Sequence, residues 1–214
     1  MSQNEAAGSA TGRHGPDWWW VLSTSCTLLL FAGFAARHIS AWRMSPDFRG
    51  AGLVVLESLV VILFVLRRRP LHTTASPRAW LAASGTFIPM LLEPEGATLG
   101  GFGMLWGGLQ FVGVLLAIAS LLSLGRSFGL VAANRGVQTR GLYRFMRHPI
   151  YASYTVTHIG YLLQNWSPWS ISIVALTIAF QVWRIVEEER LLSSDPAYQQ
   201  YQIEVPYRLA PLIY

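Results

Sequence analysis

The sequence predicts an all-α integral membrane protein, a bundle of about five to six transmembrane helices. Three observations carry that expectation. The chain has 214 residues, of which 52% are hydrophobic and only 13% charged, roughly half the charge of an ordinary soluble domain. Its apolar residues fall in several runs that approach or exceed the ~17–25 residues needed to cross a bilayer. Its basic residues are all arginine and gather in the short segments between those runs, a pattern that retains positive loops in the cytoplasm. A basic balance also suits nucleic-acid binders, but arginines confined to inter-helix segments favour the membrane, so no nucleic-acid partner is expected. The single cysteine, Cys26, lies inside an apolar run. It excludes an internal disulfide and a zinc site built from cysteine, and it reads as a buried structural thiol. No metal is expected.

Residues 1–17 are small and polar and read as a disordered N-terminal tail, without the pattern of a signal peptide. Trp18, Trp19 and Trp20 open the first span, which runs to about Ala36, with indoles suited to the headgroup interface. A second span from about Gly50 to Leu66 is closed by Arg67, Arg68, Arg69 and Pro70. A third, from about Ala79 to Leu92, is short for a crossing. A fourth, from about Gly100 to Leu124, begins with glycines that let helices approach closely. Residues 18–124 therefore read as a transmembrane region. In the remainder, 125–214, Ile150–Gln164 and Pro168–Val186 form a helical hairpin around Asn165, Trp166 and Ser167.

With six spans, Arg67, Arg68, Arg69, Arg78, Arg126, Arg135, Arg140, Arg144 and Arg147 share one side, which the positive-inside rule makes the cytoplasm. Both termini then lie inside, and Glu93 and Glu95 fall opposite. The segment holding Arg37, Arg43 and Arg49 faces out and breaks the rule.

Two polar clusters flank the hairpin. Tyr143, Arg144, Arg147, His148 and Tyr151 precede or open its first helix, and Arg184, Glu187, Glu188, Glu189 and Arg190 end its second. Polar clusters at the membrane edge are functional candidates by default. The first helix of the hairpin would be only about 22 Å long, yet it carries Tyr151, Ser153, Tyr154, Thr155, Thr157, His158 and Tyr161. It is expected to pack inside the bundle or line a cavity; the alternative is that its hydroxyls bond back to their own helix. Arg184 and Glu188 are four apart and share a helix face, well placed to hold a zwitterionic or anionic ligand. The neighbouring glutamates also fit a helix that continues into water as far as Tyr201, its acidic residues on a solvated face. Pro149 fixes the first turn of its helix, which would hold His148 where backbone amides can receive ligand oxygens. Glu57, alone in the second span, would line a path or pair with another helix.

In order, Gly125-Arg-Ser-Phe128, Gly141-x-Tyr-Arg-x-x-Arg-His-Pro-x-Tyr151, Arg184 with Glu188-Glu-Arg-x-Leu192, Tyr198-x-x-Tyr201 and Val205-Pro-Tyr-Arg-x-x-Pro211 resemble the isoprenylcysteine carboxyl methyltransferase family, within the membrane phospholipid methyltransferases. The resemblance spans about residues 120–211 and implies that 125–214 is the methyltransferase region. It implies S-adenosyl-L-methionine as donor, in a pocket facing the cytoplasm. Tyr143, His148, Pro149, Ile150, Tyr151 and Glu188 would contact that cofactor, and Arg135, Gly136, Val137 and Gln138 align with a further contacting stretch. The segment Val137-Gln-Thr-Arg-Gly141 departs from the family's Leu-Val-x-x-Gly. Arg184 matches the arginine on the substrate side.

The expected function is methyl transfer to a lipophilic small-molecule or prenylated acceptor drawn from the membrane lipid phase. A carboxylate acceptor is ionised at neutral pH and needs only alignment and loss of its water, which a guanidinium fork can supply. A phospholipid amine or a thiol is the alternative, with Glu188, Glu189 or His148 as base for an amine. A sterol-reductase-like enzyme using NADPH, which shares an Arg-His-x-x-Tyr element, is the competing class. Pro149 and the paired Glu188 and Glu189 favour the methyltransferase.

Overall fold

The computed structural model describes residues 18–68, 72–73, 76–93 and 96–210. The tail expected over 1–17, and Arg69, Pro70, Glu95 and Pro211, lie outside the described residues. The chain is an all-α membrane protein. Its helices are α1 (Trp18–Met44), α2 (Phe48–Leu66), α3 (Pro77–Ser84), α4 (Gly103–Leu124), α5 (Pro149–Gln164), α6 (Pro168–Leu192) and α7 (Pro196–Glu204). Among the described residues, three stretches, Phe48–Leu66, Gly103–Ser127 and Pro168–Leu192, are long and apolar enough to cross a membrane. At 27 residues, α1 reaches about 40 Å, eight residues beyond its expected end.

Local chemistry sets the ends. Asp47 Oδ1 accepts the Gly50 amide at 2.7 Å, so α2 starts at a side-chain cap. Ser167 Oγ accepts from the Ser170 amide at 3.1 Å, and Pro168 fills the first position of α6. The third expected span is realised in two halves. After α3 the chain continues as a 3₁₀ helix over Gly85–Leu91 that contains Pro89. Proline has no amide to donate and its ring crowds the carbonyl four residues back, so an α-helix cannot run through. The two halves together reach about 26 Å and pack along α6.

The helices pack in the order α1 on α2, α2 on α4, α4 on α5 and α5 on α6. Leu56, Val60 and Phe64 of α2 meet Val114, Ala117 and Leu121 of α4, and Ile150, Tyr151 and Ile185 complete that core. The tightest approach is between α4 and α5. A Cβ on Gly160 would stand 2.4 Å from the Gln110 amide nitrogen, and one on Gly113 would stand 2.5 Å from that of Thr157. Cys26, expected to be buried, is exposed. The face of α1 turned to the bundle runs through Thr27, Phe31 and Ala35, and Cys26 falls outside it.

Short non-helical ties close both ends. His72 and Thr73 (β1) pair antiparallel with Asn134 and Ala133 (β2). The Arg68 amide donates to the Arg126 carbonyl at 2.8 Å on the same side. At the other end, the Trp166 amide donates to the Ala97 carbonyl at 2.9 Å. Two of the three arginines expected to break the positive-inside rule have local partners there: Arg49 binds Asp47 at 2.7 Å and also Gln164, and Arg37 reaches the Met90 carbonyl at 3.4 Å.

Candidate active site

The segment before α5 is folded against the C-terminal residues. Gly141 has φ +60°, and a Cβ there would fall 2.1 Å from Ser123 Oγ, so glycine alone fits this turn. The turn starts a short 3₁₀ helix, Gly141–Arg144, that buries Tyr143. Arg147 and His148 follow, 8% and 5% exposed. Arg147 Nε donates to Glu189 Oε1 at 2.9 Å, and its Nη1 donates to the carbonyls of Val205 and Pro206 at 2.9 and 2.8 Å. Arg208 Nε donates to Glu189 Oε2 at 2.8 Å, and His148 Nε2 lies 3.2 Å from Glu189 Oε1.

Around the entry to α5, where amides are expected to receive ligand oxygens, those of Tyr151 and Ala152 donate to the His148 carbonyl at 3.1 and 3.2 Å. Those of Arg147 and His148 donate to the carbonyls of Tyr207 and Arg208 at 2.9 and 2.8 Å. The returning C-terminal segment supplies the oxygens instead.

Above this support lies an outer cavity of about 140 Å3. Arg135, Gly136, Val137, Gln138, Tyr143, His148, Ile150, Tyr151, Arg184 and Glu188 all line it. Pro149 sits beneath, buried at the first turn of α5. Glu188 accepts from Tyr151 Oη at 2.5 Å, with Arg184 Nη2 at 3.7 Å and His148 Nδ1 at 3.8 Å. Arg184 also binds Thr86 Oγ1 at 2.5 Å and the Leu130 carbonyl at 2.7 Å, and its guanidinium stands 5.1 Å from the centre of the Tyr151 ring.

Two polar atoms at this site, Arg135 Nε and Tyr198 Oη, are buried without a hydrogen-bond partner among the described residues. Burial, together with the nearby charge of Arg67, pulls the Arg135 guanidinium down to about 10, against the pull of Glu188. Burial and the charge of Glu188 push the Tyr143 hydroxyl well above its usual range. Both groups keep their ordinary protonation at neutral pH. The cavity wall therefore carries the carboxylate of Glu188, the guanidinium groups of Arg135, Arg184 and the Glu189-bound Arg147, and several phenols.

A second cavity, of about 240 Å3, lies deeper between the helices and shares Phe31, Thr86, Tyr151, Tyr154 and Arg184 with the first. Glu57 lines it and also stands 3.0 Å from His38 Nδ1 of α1. The expected pairing of Glu57 with another helix is thus present, beside a cavity that Glu57 also lines. On α5, Ser153, Thr155 and Thr157 do bond back to carbonyls four residues earlier, at 2.7, 2.9 and 3.0 Å. The α5 residues that line the cavities are Ile150, Tyr151, Tyr154, Thr157, His158 and Tyr161.

The glutamate triplet differs from the solvated face considered above. The chain turns at Ser193, Ser194 and Asp195 before α7, so α6 does not run on to Tyr201. Glu187 and Glu189 are 7% and 6% exposed, and Glu187 pairs with Arg190 at 2.7 Å. The central place of Glu189, Arg147 and Arg208 was not anticipated. Its one sequence signal is that all three fall inside the ordered motifs.

Residues 100–198 match the model of the phospholipid methyltransferase family. The chain is also similar to protein-S-isoprenylcysteine O-methyltransferase A of Arabidopsis thaliana. The two are 27% identical over 156 residues, which cover 69% of this chain and 70% of that protein.

Proposed function

We propose that the chain is a membrane methyltransferase of the phospholipid methyltransferase family, and that it moves a methyl group from S-adenosyl-L-methionine to the carboxylate of a lipophilic, prenylcysteine-like acceptor. The observation that carries this reading is the position of Arg184, in the wall common to the outer and inner cavities. A charged donor can meet it from the loop side and a lipid-soluble acceptor from the membrane side.

The outer cavity suits the donor. Glu188 matches an ammonium group and Arg135 a carboxylate, and the unpartnered Arg135 Nε and Tyr198 Oη are free to bind its polar atoms. The faces of Tyr143 and Tyr151 can border a sulfonium. When bound, the donor supplies a methyl carbon on positive sulfur, which an acceptor oxygen displaces in line: a C–O bond forms as the C–S bond breaks, leaving a neutral thioether and a neutral ester. No proton has to move. The work of the protein is to align the acceptor and remove its water. Arg184 does this by exchanging its bond to Thr86 for a forked pair with the acceptor carboxylate, while the Leu130 carbonyl keeps hold of its other nitrogen. The arginine-rich end, and with it the outer cavity, faces the cytoplasm in this reading.

Two measurements test it. Calorimetry on purified protein should give saturable binding of S-adenosyl-L-methionine and none of NADPH; the reverse result overturns the methyl-donor assignment. Arg184→Lys keeps the charge and loses the fork. It should reduce kcat/KM for a prenylcysteine by about tenfold or more, from a lost charge-assisted bond of ~1.5–3 kcal/mol, with little change in donor affinity. Robust methylation of phosphatidylethanolamine that is indifferent to Arg184→Lys would instead establish an amine acceptor.

A further inference from the structure

The inner cavity carries polar atoms where a plain hydrocarbon would bind. Among the described residues, Glu57 Oε2, His158 Nδ1 and Tyr161 Oη are each buried without a hydrogen-bond partner, and all three residues line the cavity. Glu57 is held from behind by His38 at 3.0 Å. Tyr154, His158 and Tyr161 follow one another at spacings of four and three along α5, which puts them on one helix face. His158 lies about 10 Å farther along the helix axis than Tyr151, at ~1.5 Å per residue, and Tyr151 borders the junction with the outer cavity.

Packing only CH2 groups against this lining would leave three polar groups desolvated and unpaired, a cost comparable to a lost hydrogen bond at each. A water-filled cavity or a polar ligand removes that cost. A ligand that enters sideways from lipid and reaches Arg184 must lie along this same lining.

We propose that Glu57, His158 and Tyr161 form a recognition site for a hydroxyl group carried on the hydrophobic body of the acceptor, about 10 Å deeper in the membrane than the atom that is methylated. The proposal rests on the inner cavity being the path of the acceptor. A hydroxyl fits the mixed lining. A carboxylate only accepts, whereas the tyrosine hydroxyl and the imidazole can each give a proton; a hydroxyl donates to Glu57 and accepts from one of the other two. An ammonium group donates only and would leave their N–H and O–H groups unmatched.

The test uses a pair of probes that cannot be methylated, geranylcysteine methyl ester and its ω-hydroxylated counterpart, with the full chain in lipid nanodiscs. Wild type should bind the hydroxylated ester about tenfold more tightly. Tyr161→Phe, which keeps the ring, and Glu57→Gln, which keeps the shape, should each shrink that preference to about twofold or less. Binding of the plain ester should be retained, and tightened for Tyr161→Phe because one unpaired polar group is gone, which also reports that the variants are folded. Equal affinities in wild type, a preference that survives both substitutions, or no binding of either ester would overturn the proposal. Because the probes are esters, failure to methylate any carboxylate would count against the acceptor chemistry proposed above and leave this preference measurable.

Discussion

Arg147, Arg208 and the imidazole of His148 converge on the carboxylate of Glu189, at 2.9, 2.8 and 3.2 Å. Its neighbour Glu188 faces the cavity instead, against Tyr151. Adjacent residues on a helix point about 100° apart, so two glutamates in sequence serve different ends. Replacing one should separate them. Glu189→Gln leaves Arg147 buried beside a neutral amide, and breaking a buried pair in this way costs about 3–5 kcal/mol. Thermal unfolding in detergent should show a large loss of stability for Glu189→Gln and little for Glu188→Gln, whereas donor titration should fail for both. Similar melting of the two variants would show that the Glu189 network is not structural. In the sequence, the spacing of Arg184 and Glu188 was enough to place them on one face. No spacing rule links residue 189 to residues 147 and 208, because their meeting depends on where the chain returns after α7.

The hairpin shows how helix pairing prepares the cavity. Gly113 and Gly160 let α4 and α5 touch backbone to backbone, and Thr157 sits at that contact and lines the inner cavity together with Tyr161. Gly160→Val should force the pair apart, at a cost of about 1–3 kcal/mol or more for overpacking. It should also raise acceptor KM, since Tyr161 moves with the helix. An unchanged melting temperature would show that the pair has room to adjust. Helix ends were legible wherever a proline or a capping side chain marks them, as at Pro149 and Pro168. The extension of α1 to Met44 and the change to 3₁₀ geometry after Ser84 were not. Both depend on neighbours: Arg37 and His38 find partners in Met90 and Glu57, and the 3₁₀ stretch is held along α6.

Across the bundle, the arginines gather mainly, though not wholly, at one end. Arg68, Arg78, Arg126, Arg140 and Arg144 lie at the end where α2 and α4 stop and α3 and α5 start, beside the outer cavity. Arg43 lies at the opposite end of α1, and both Arg43 and Arg140 are exposed. With Cys26→Ser as background, Arg140→Cys should react with an impermeant maleimide from the cytoplasmic side and Arg43→Cys from the other. Labelling of both from one side would refute the orientation. Composition and the run lengths of apolar residues were sufficient to determine a helical membrane protein, because a bilayer leaves the backbone few other ways to satisfy its hydrogen bonds. The ordered motifs, read as a family likeness, point to the proposed class of reaction. Only the tertiary structure decided that Cys26 faces outward, that Glu189 holds the C-terminal segment, and that Glu57, His158 and Tyr161 share one buried cavity. Those are contacts between residues far apart in the chain, and periodicity along a single helix reports which way a side chain points but not what it meets there.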